Sequence, residues 1–349
     1  MTQADPIERR ISLLRFVMIF GVVLLHTPPY TPIAETGPGL FDAVVAFFQH
    51  AVFRSTVPVL TLISGYLLYR SAIDQYPARL LRKKVGSILV PFLFFNLTLL
   101  GAYVLLVEVA GLSIGNTRLD TIQDWLNAAF GLTASPINYP LNFLRDLMAL
   151  FILAPLLGWF LRRAPWPGLV LVLLVFQFNL DGMFVLRNVM LPIFYIGGMA
   201  AVLKWDMRAL DRYAPWLLAL FVILCAAIVH FRVENTNYFR LVAPILIWPA
   251  ASLLVSTGVG RWLARMSRYS YFLFLAHAPV LLVVSVIYKH FSAHIPFPVY
   301  WVLTPVVVTG VLVATYKVLA RLMPATFNTL IGNAGPRTVP NPEAALKKS

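Results

Sequence analysis

The sequence predicts an all-α fold, a polytopic integral membrane bundle of about ten transmembrane helices with both termini in the cytosol. Three observations predict it. The chain of 349 residues is 60% hydrophobic and only 12% charged, where a soluble domain carries about 25% charged residues. Apolar runs of roughly 20 residues, the length that crosses a ~30 Å hydrocarbon core, recur from Ile11 to Leu319. The basic residues fall in short loops between these runs rather than on one face or tail. The runs are continuous rather than alternating, so they read as helices and not as barrel strands.

The predicted spans are 11 to 30, 50 to 69, 86 to 107, 142 to 161, 167 to 181, 187 to 203, 214 to 231, 240 to 256, 270 to 288 and 298 to 320. With the N-terminus inside, nineteen Lys and Arg residues fall on the cytosolic side and seven on the other, the asymmetry of the positive-inside rule. The net charge of +14 therefore reads as orientation signalling, not as a nucleic-acid footprint. An inner membrane location follows. Residues 1–325 form one membrane domain, and 326–349, rich in Pro, Asn and Lys, read as a cytosolic, disordered tail. Arg9 and Arg10 precede an apolar run as in a signal peptide, but no small-residue cleavage site follows, so the run reads as a retained helix. The single cysteine, Cys225, lies in an apolar run and excludes an intramolecular disulfide or cysteine metal site. His290 and His294 lack a third ligand, and no metal is expected.

Ionisable groups inside a span are costly and are functional candidates by default. Arg15 and His26 are eleven steps apart on the first span, which returns them to within ~20° of one face and separates them by ~16 Å along the axis. Counting along the other spans places Arg54, Arg145 and Asp146 in an outer layer with His26, and Arg187 and Arg240 at a similar depth. Ser64 and His277 lie near the level of Arg15. Two polar layers predict a route through the protein. Simpler readings stand beside this one: satisfied core histidines for His26 and His277, a structural ion pair among Arg54, Arg145 and Asp146, and snorkelling to the outer interface for Arg187 and Arg240. Arg79, Arg82, Lys83 and Lys84 form either an orientation signal or a clamp for phosphates.

With these residues in place, the chain resembles the acyltransferase-3 family of membrane acyltransferases. The resemblance covers about Ile11 to Leu319. Arg15-x10-His26 matches the family's first-span motif, Phe53-Arg54-Ser55-Thr56-Val57-Pro58 with Ile63-Ser64-Gly65-Tyr66 is similar to its second-span pattern, and Arg79-x2-Arg82 resembles its basic motif. Phe143-Leu144-Arg145-Asp146-Leu147 and Ser270-Tyr271-Phe272-Leu273-Phe274-Leu275-Ala276-His277 are similar to two later segments, with Asn142 where a Trp is usual. Within the family the chain looks most like the exopolysaccharide-modifying branch, which includes a succinoglycan succinyltransferase. The resemblance implies transfer of an acyl group, succinyl or acetyl, from cytosolic acyl-CoA to a hydroxyl of an exported or lipid-linked polysaccharide, with no permanently bound cofactor. In the expected arrangement His26 is the general base, with Arg15 and Arg54 beside it in the catalytic set. Arg79, Arg82, Lys83, Ser64 and His277 hold the donor, and Arg145, Asp146 and Arg187 meet the acceptor. The competing class is a transporter or flippase for an anionic lipid-linked sugar, and a third reading is a non-catalytic partner of a polysaccharide assembly complex.

Overall fold

The computed structural model describes residues 5–109 and 119–332, so Arg118 and the tail from 333 lie outside the described residues. Among them every regular element is helical. Seven helices are long and apolar enough to cross a membrane: Leu40–Arg70, Pro77–Val107, Tyr139–Arg163, Asp211–His230, Asn237–Val255, Gly258–Phe291 and Phe297–Leu322. The chain is thus a multi-pass helical membrane protein.

Each predicted span falls on a helix, with three informative departures. The first helix runs Pro6–Leu25 rather than to residue 30, started by the Asp5 side chain accepting from the Ile7 amide and closed at His26. It is held in place by Arg10, which is buried and donates to both carboxylate oxygens of Asp211 at 2.9 and 2.6 Å while lying over the Trp248 ring. In place of spans 167 to 181 and 187 to 203 stand two helices of 13 residues, Pro165–Gln177 and Met190–Val202, each shorter than the ~20 residues of a straight crossing. Asn179 turns the chain with a positive φ of 52°, and residues 178–189 form an irregular loop instead of helix. The boundary at residue 325 also moves, because Pro324–Leu330 is a helix that buries Phe327 against Phe272 and Tyr316.

Ahead of the second predicted span, Leu40 to His50 is helical and continuous with it, but the joint is irregular. A wide π-type turn at Phe47–Ala51 gives way to a tight 3-10 turn at Val52–Ser55 before the regular helix Thr56–Arg70. Such turns shift the register of a helix and are frequent at functional sites. Here they carry His50 and Arg54.

The most extensive packing joins Thr56–Arg70 to Met190–Val202. Lipid gives no hydrophobic drive for helices to associate, so small residues that let backbones approach supply the contact. A Cβ on Gly65 would sit 2.2 Å from the Phe194 carbonyl oxygen, and one on Gly197 would sit 2.3 Å from that of Leu62. Backbone cannot yield as a side chain does. Gly197→Val is therefore expected to separate the two helices and cost about 1–3 kcal/mol or more, read as a lower thermal midpoint in detergent. An unchanged midpoint would remove this contact as the bundle's closest seam.

Candidate active site

Two chambers lie along the first helix. The first, of about 480 Å³, is lined by Arg15, Ser64, Lys83 and Lys84 with Ser71, Ser87, Ser267, Ser270 and Tyr271 among apolar walls. The second, of about 520 Å³, is lined by His26, Arg54, Arg187 and Arg240 with Tyr30 and Tyr139. Among the described residues, no acidic one lines either. Phe274 belongs to both walls and is braced edge-on by Phe143 at 5.7 Å. It is the residue that the two linings share.

The single helix Pro6–Leu25, with His26 capping it, thus delivers Arg15 to the lysine chamber and His26 to the arginine chamber, as the eleven-step spacing requires. His26 is pinned through Nδ1, 2.9 Å from the Val22 carbonyl oxygen. A carbonyl only accepts, so Nδ1 carries the proton and Nε2 the lone pair. His277, fully buried one turn beyond Phe274, is pinned in the same way to the carbonyls of Leu273 and Phe274 at 3.2 and 2.8 Å, and its Nε2 has no partner. The two imidazoles lie 5.5 Å apart, centroid to centroid. His277 lines neither chamber and stands behind His26.

Arg54 enters the arginine chamber from the 3-10 turn, with its guanidinium near the Tyr30 ring and donating to the Tyr30 hydroxyl. The direction of the chain of bonds behind it is fixed from its far end. The Thr31 carbonyl accepts from His50 Nε2 at 2.8 Å, which leaves the Nδ1 lone pair to take the Tyr30 hydroxyl proton at 3.1 Å. The Tyr30 oxygen is then free to accept from Arg54. Sequence reasoning missed Tyr30, His50 and Tyr139, because nothing in their spacing marks them: Tyr30 lies in the loop after the first helix, His50 on the wide turn Phe47–Ala51 and Tyr139 on a short 3-10 turn before Asn142.

Arg145 and Asp146 have other employment. Arg145 donates to the carbonyls of Gly131, Leu132, Met183 and Phe184 and pairs with Asp146 at 2.9 Å. Asp146, fully buried, also accepts from the amides of Leu186 and Arg187 at 3.0 and 3.1 Å. Neither lines a chamber; together they clasp the loop 178–189 that carries Arg187. Arg187 reaches the chamber over the face of Tyr139, 5.7 Å from its centroid. Arg240 lines it too, so both turn inward rather than snorkel. Asn142 donates to the Ser135 hydroxyl at 2.5 Å, tying the loop before its helix.

On the basic helix Pro77–Lys84, Leu80 is fully buried and Arg79 and Arg82 are exposed. The structure brings Lys83 and Lys84, not the two arginines, into the lysine chamber. Lys84 follows Leu80 by one helical turn, which turns its ammonium inward, 3.9 Å from the Phe151 ring centroid. That i,i+4 relation was the available signal for Lys84. Ser64 lines the same chamber with its hydroxyl donating to the Leu60 carbonyl at 2.8 Å.

A family model described as an acyltransferase domain matches residues 8–316. The chain is 30% identical to the succinoglycan biosynthesis protein ExoH of Rhizobium meliloti (strain 1021), over 94% of this chain and 92% of that protein. No solved structure matches it. The family match covers nearly all of the chain, with Arg15 and His26 inside it, and the chain belongs to the acyltransferase-3 family of membrane acyltransferases.

Proposed function

We propose that the protein moves an acyl group from cytosolic acyl-CoA, through the membrane, to a hydroxyl of an exported or lipid-linked polysaccharide. What supports this most is the layout along one helix: a cationic chamber at Arg15, a base at His26, and a single aromatic ring between them. In this reading ten helices cross the inner membrane, both termini are cytosolic, and the lysine chamber opens inward. The nucleotide phosphates would meet Arg79, Arg82 and Lys83 at its mouth, with Arg15 and Lys84 within, where charge-assisted bonds are strongest. The extended thioester arm would pass Phe274 toward His26.

There the acceptor O–H meets the Nε2 lone pair. As the acceptor oxygen attacks the thioester carbonyl, its proton passes to His26, the C–S bond breaks, and the proton returns to the departing thiolate, giving ester and free CoA. Arg54, oriented by Tyr30 and His50, would stabilise the oxyanion without having to reorganise. Ser64 and His277 would shape the donor path, and the clasp of Arg145 and Asp146 would hold Arg187 toward the acceptor. A succinyl donor ends in a carboxylate that Arg54 would meet, whereas an acetyl donor needs no such partner. Likeness to a succinoglycan biosynthesis protein favours an exopolysaccharide acceptor.

The test supplies acetyl-CoA or succinyl-CoA with candidate glycans to purified protein and follows free thiol and product mass. Glycan-dependent CoA release with one donor is expected, and Lys84→Met should raise the donor KM by roughly 10- to 100-fold through loss of a charged contact worth about 1.5–3 kcal/mol. Glycan flux with no CoA release from any donor would replace this reading with the transporter.

A further inference from the structure

The arginine chamber holds more positive charge than the donor can answer. Arg54, Arg187 and Arg240 all line it, and none belongs to any of the ion pairs among the described residues. The acids that come nearest in function stand apart. Asp146 is committed to Arg145, and Asp181, whose carboxylate oxygens are buried without partners, does not line the chamber.

Little neutral bonding replaces the missing charge. Each guanidinium offers five donors. Arg187 Nη1 and Arg240 Nε are buried and unpartnered, and Arg240 makes only a long bond of 3.4 Å to the Asn237 side chain. A neutral sugar would leave these groups desolvated and unpaired, the costly state for a buried cation. A succinyl donor would bring one carboxylate and an acetyl donor none. At least two of the three guanidiniums therefore lack a counter-charge in the ternary complex.

We infer that the acceptor itself carries a fixed negative charge close to the hydroxyl that is acylated, and that Arg187 and Arg240 are its binding site. This rests on the acyltransferase reading and names its acceptor class: an anionic, not a neutral, glycan. The positions fit a division of labour. Arg54 is steered by Tyr30 toward the reacting centre beside His26, while Arg187 and Arg240 sit on the loop 178–189 and the helix Asn237–Ala250. Planar guanidinium forks suit carboxylate and phosphate alike, so the charge has two sources: an acidic substituent on the sugar, or the phosphate of a lipid that carries it.

The experiment compares three acceptors with one donor on the purified full chain: a neutral oligosaccharide, the same oligosaccharide bearing a carboxylate, and the neutral oligosaccharide on a polyprenyl diphosphate. A charged acceptor is expected to exceed the neutral one in kcat/KM by about tenfold or more, and which charged form does so names the source. Arg240→Gln and Arg187→Gln should collapse that ratio toward one by raising the KM of the charged acceptor, with the donor KM unmoved. Arg187→Lys, which keeps the charge, should retain more of the preference. Equal use of neutral and charged acceptors would overturn the inference, as would arginine variants that raise the donor KM alone. If no combination releases CoA, the transferase reading fails separately. Calorimetric binding of the charged but not the neutral oligosaccharide, lost in Arg240→Gln, would then still uphold the anion site, and its absence would overturn that as well.

Discussion

Replacing His26 with alanine is expected to lower acyl transfer by at least about two orders of magnitude, the range a positioned general base supplies, while the protein stays folded. The residue is well placed for so clean a loss. Its side chain caps nothing beyond its own turn, bonding only the Val22 carbonyl, and the backbone of the helix end is closed by the His26 amide to Val22 and the Thr27 amide to Leu24. Alanine keeps both of those. His26→Gln should be nearly as inactive, because an amide offers no basic lone pair at the Nε2 position. Initial rates of CoA release, with thermal midpoints measured on the same samples, check both. Normal turnover in either variant would dismiss the base, and a collapsed midpoint would make the residue structural instead.

Asp146→Ala should do the opposite and destroy the fold of the site. Removing one partner of a buried ion pair leaves an uncompensated charge and costs about 3–5 kcal/mol. Here the abandoned partner, Arg145, also tethers the carbonyls of Gly131, Leu132, Met183 and Phe184, and the amides of Leu186 and Arg187 lose their acceptor in the same change. The loop 178–189 would come free and carry Arg187 with it. A marked fall in detergent stability, or protein retained only in aggregates, is the expected readout. Asp146→Asn, which keeps the shape and one acceptor oxygen, should lie between. A stable Asp146→Ala protein that has lost only acceptor affinity would instead make the carboxylate a direct contact to substrate.

Much of this architecture was legible in the chain because lipid narrows the choices. A long apolar run is a helix wherever it is found, and Arg15 and His26 share a face by helical arithmetic alone. The rest depended on contacts that spacing does not encode. Arg145 reads as an acceptor contact or as a member of an ion pair, and its spacing does not reveal the carbonyls of two distant loops that close around it. Arg79 and Arg82 form the conspicuous pair on the basic helix, yet burial of Leu80 turns Lys84 to the chamber and leaves them outside. Tyr30, His50 and Tyr139 reach the site through the loop after the first helix, the irregular joint before Thr56 and the short turn before Asn142. Met190–Val202 starts later than predicted, where Asp146 holds the amides of Leu186 and Arg187 in the preceding loop, and Pro165–Gln177 ends before the left-handed turn at Asn179.

A membrane that stores about 2.3 kcal/mol per elementary charge for each 100 mV penalises any protein that opens a wet passage across it. An enzyme that feeds a substrate from one face to a reaction near the other faces that hazard at every turnover. On the proposed route, the ring of Phe274, which lines both chambers and is braced edge-on by Phe143, would be a seal of the kind such work demands. A slender thioester arm can displace an aromatic ring by turning it aside, while a hydrated ion must first shed water against an apolar face. Insulation and delivery would then reside in the same side chain.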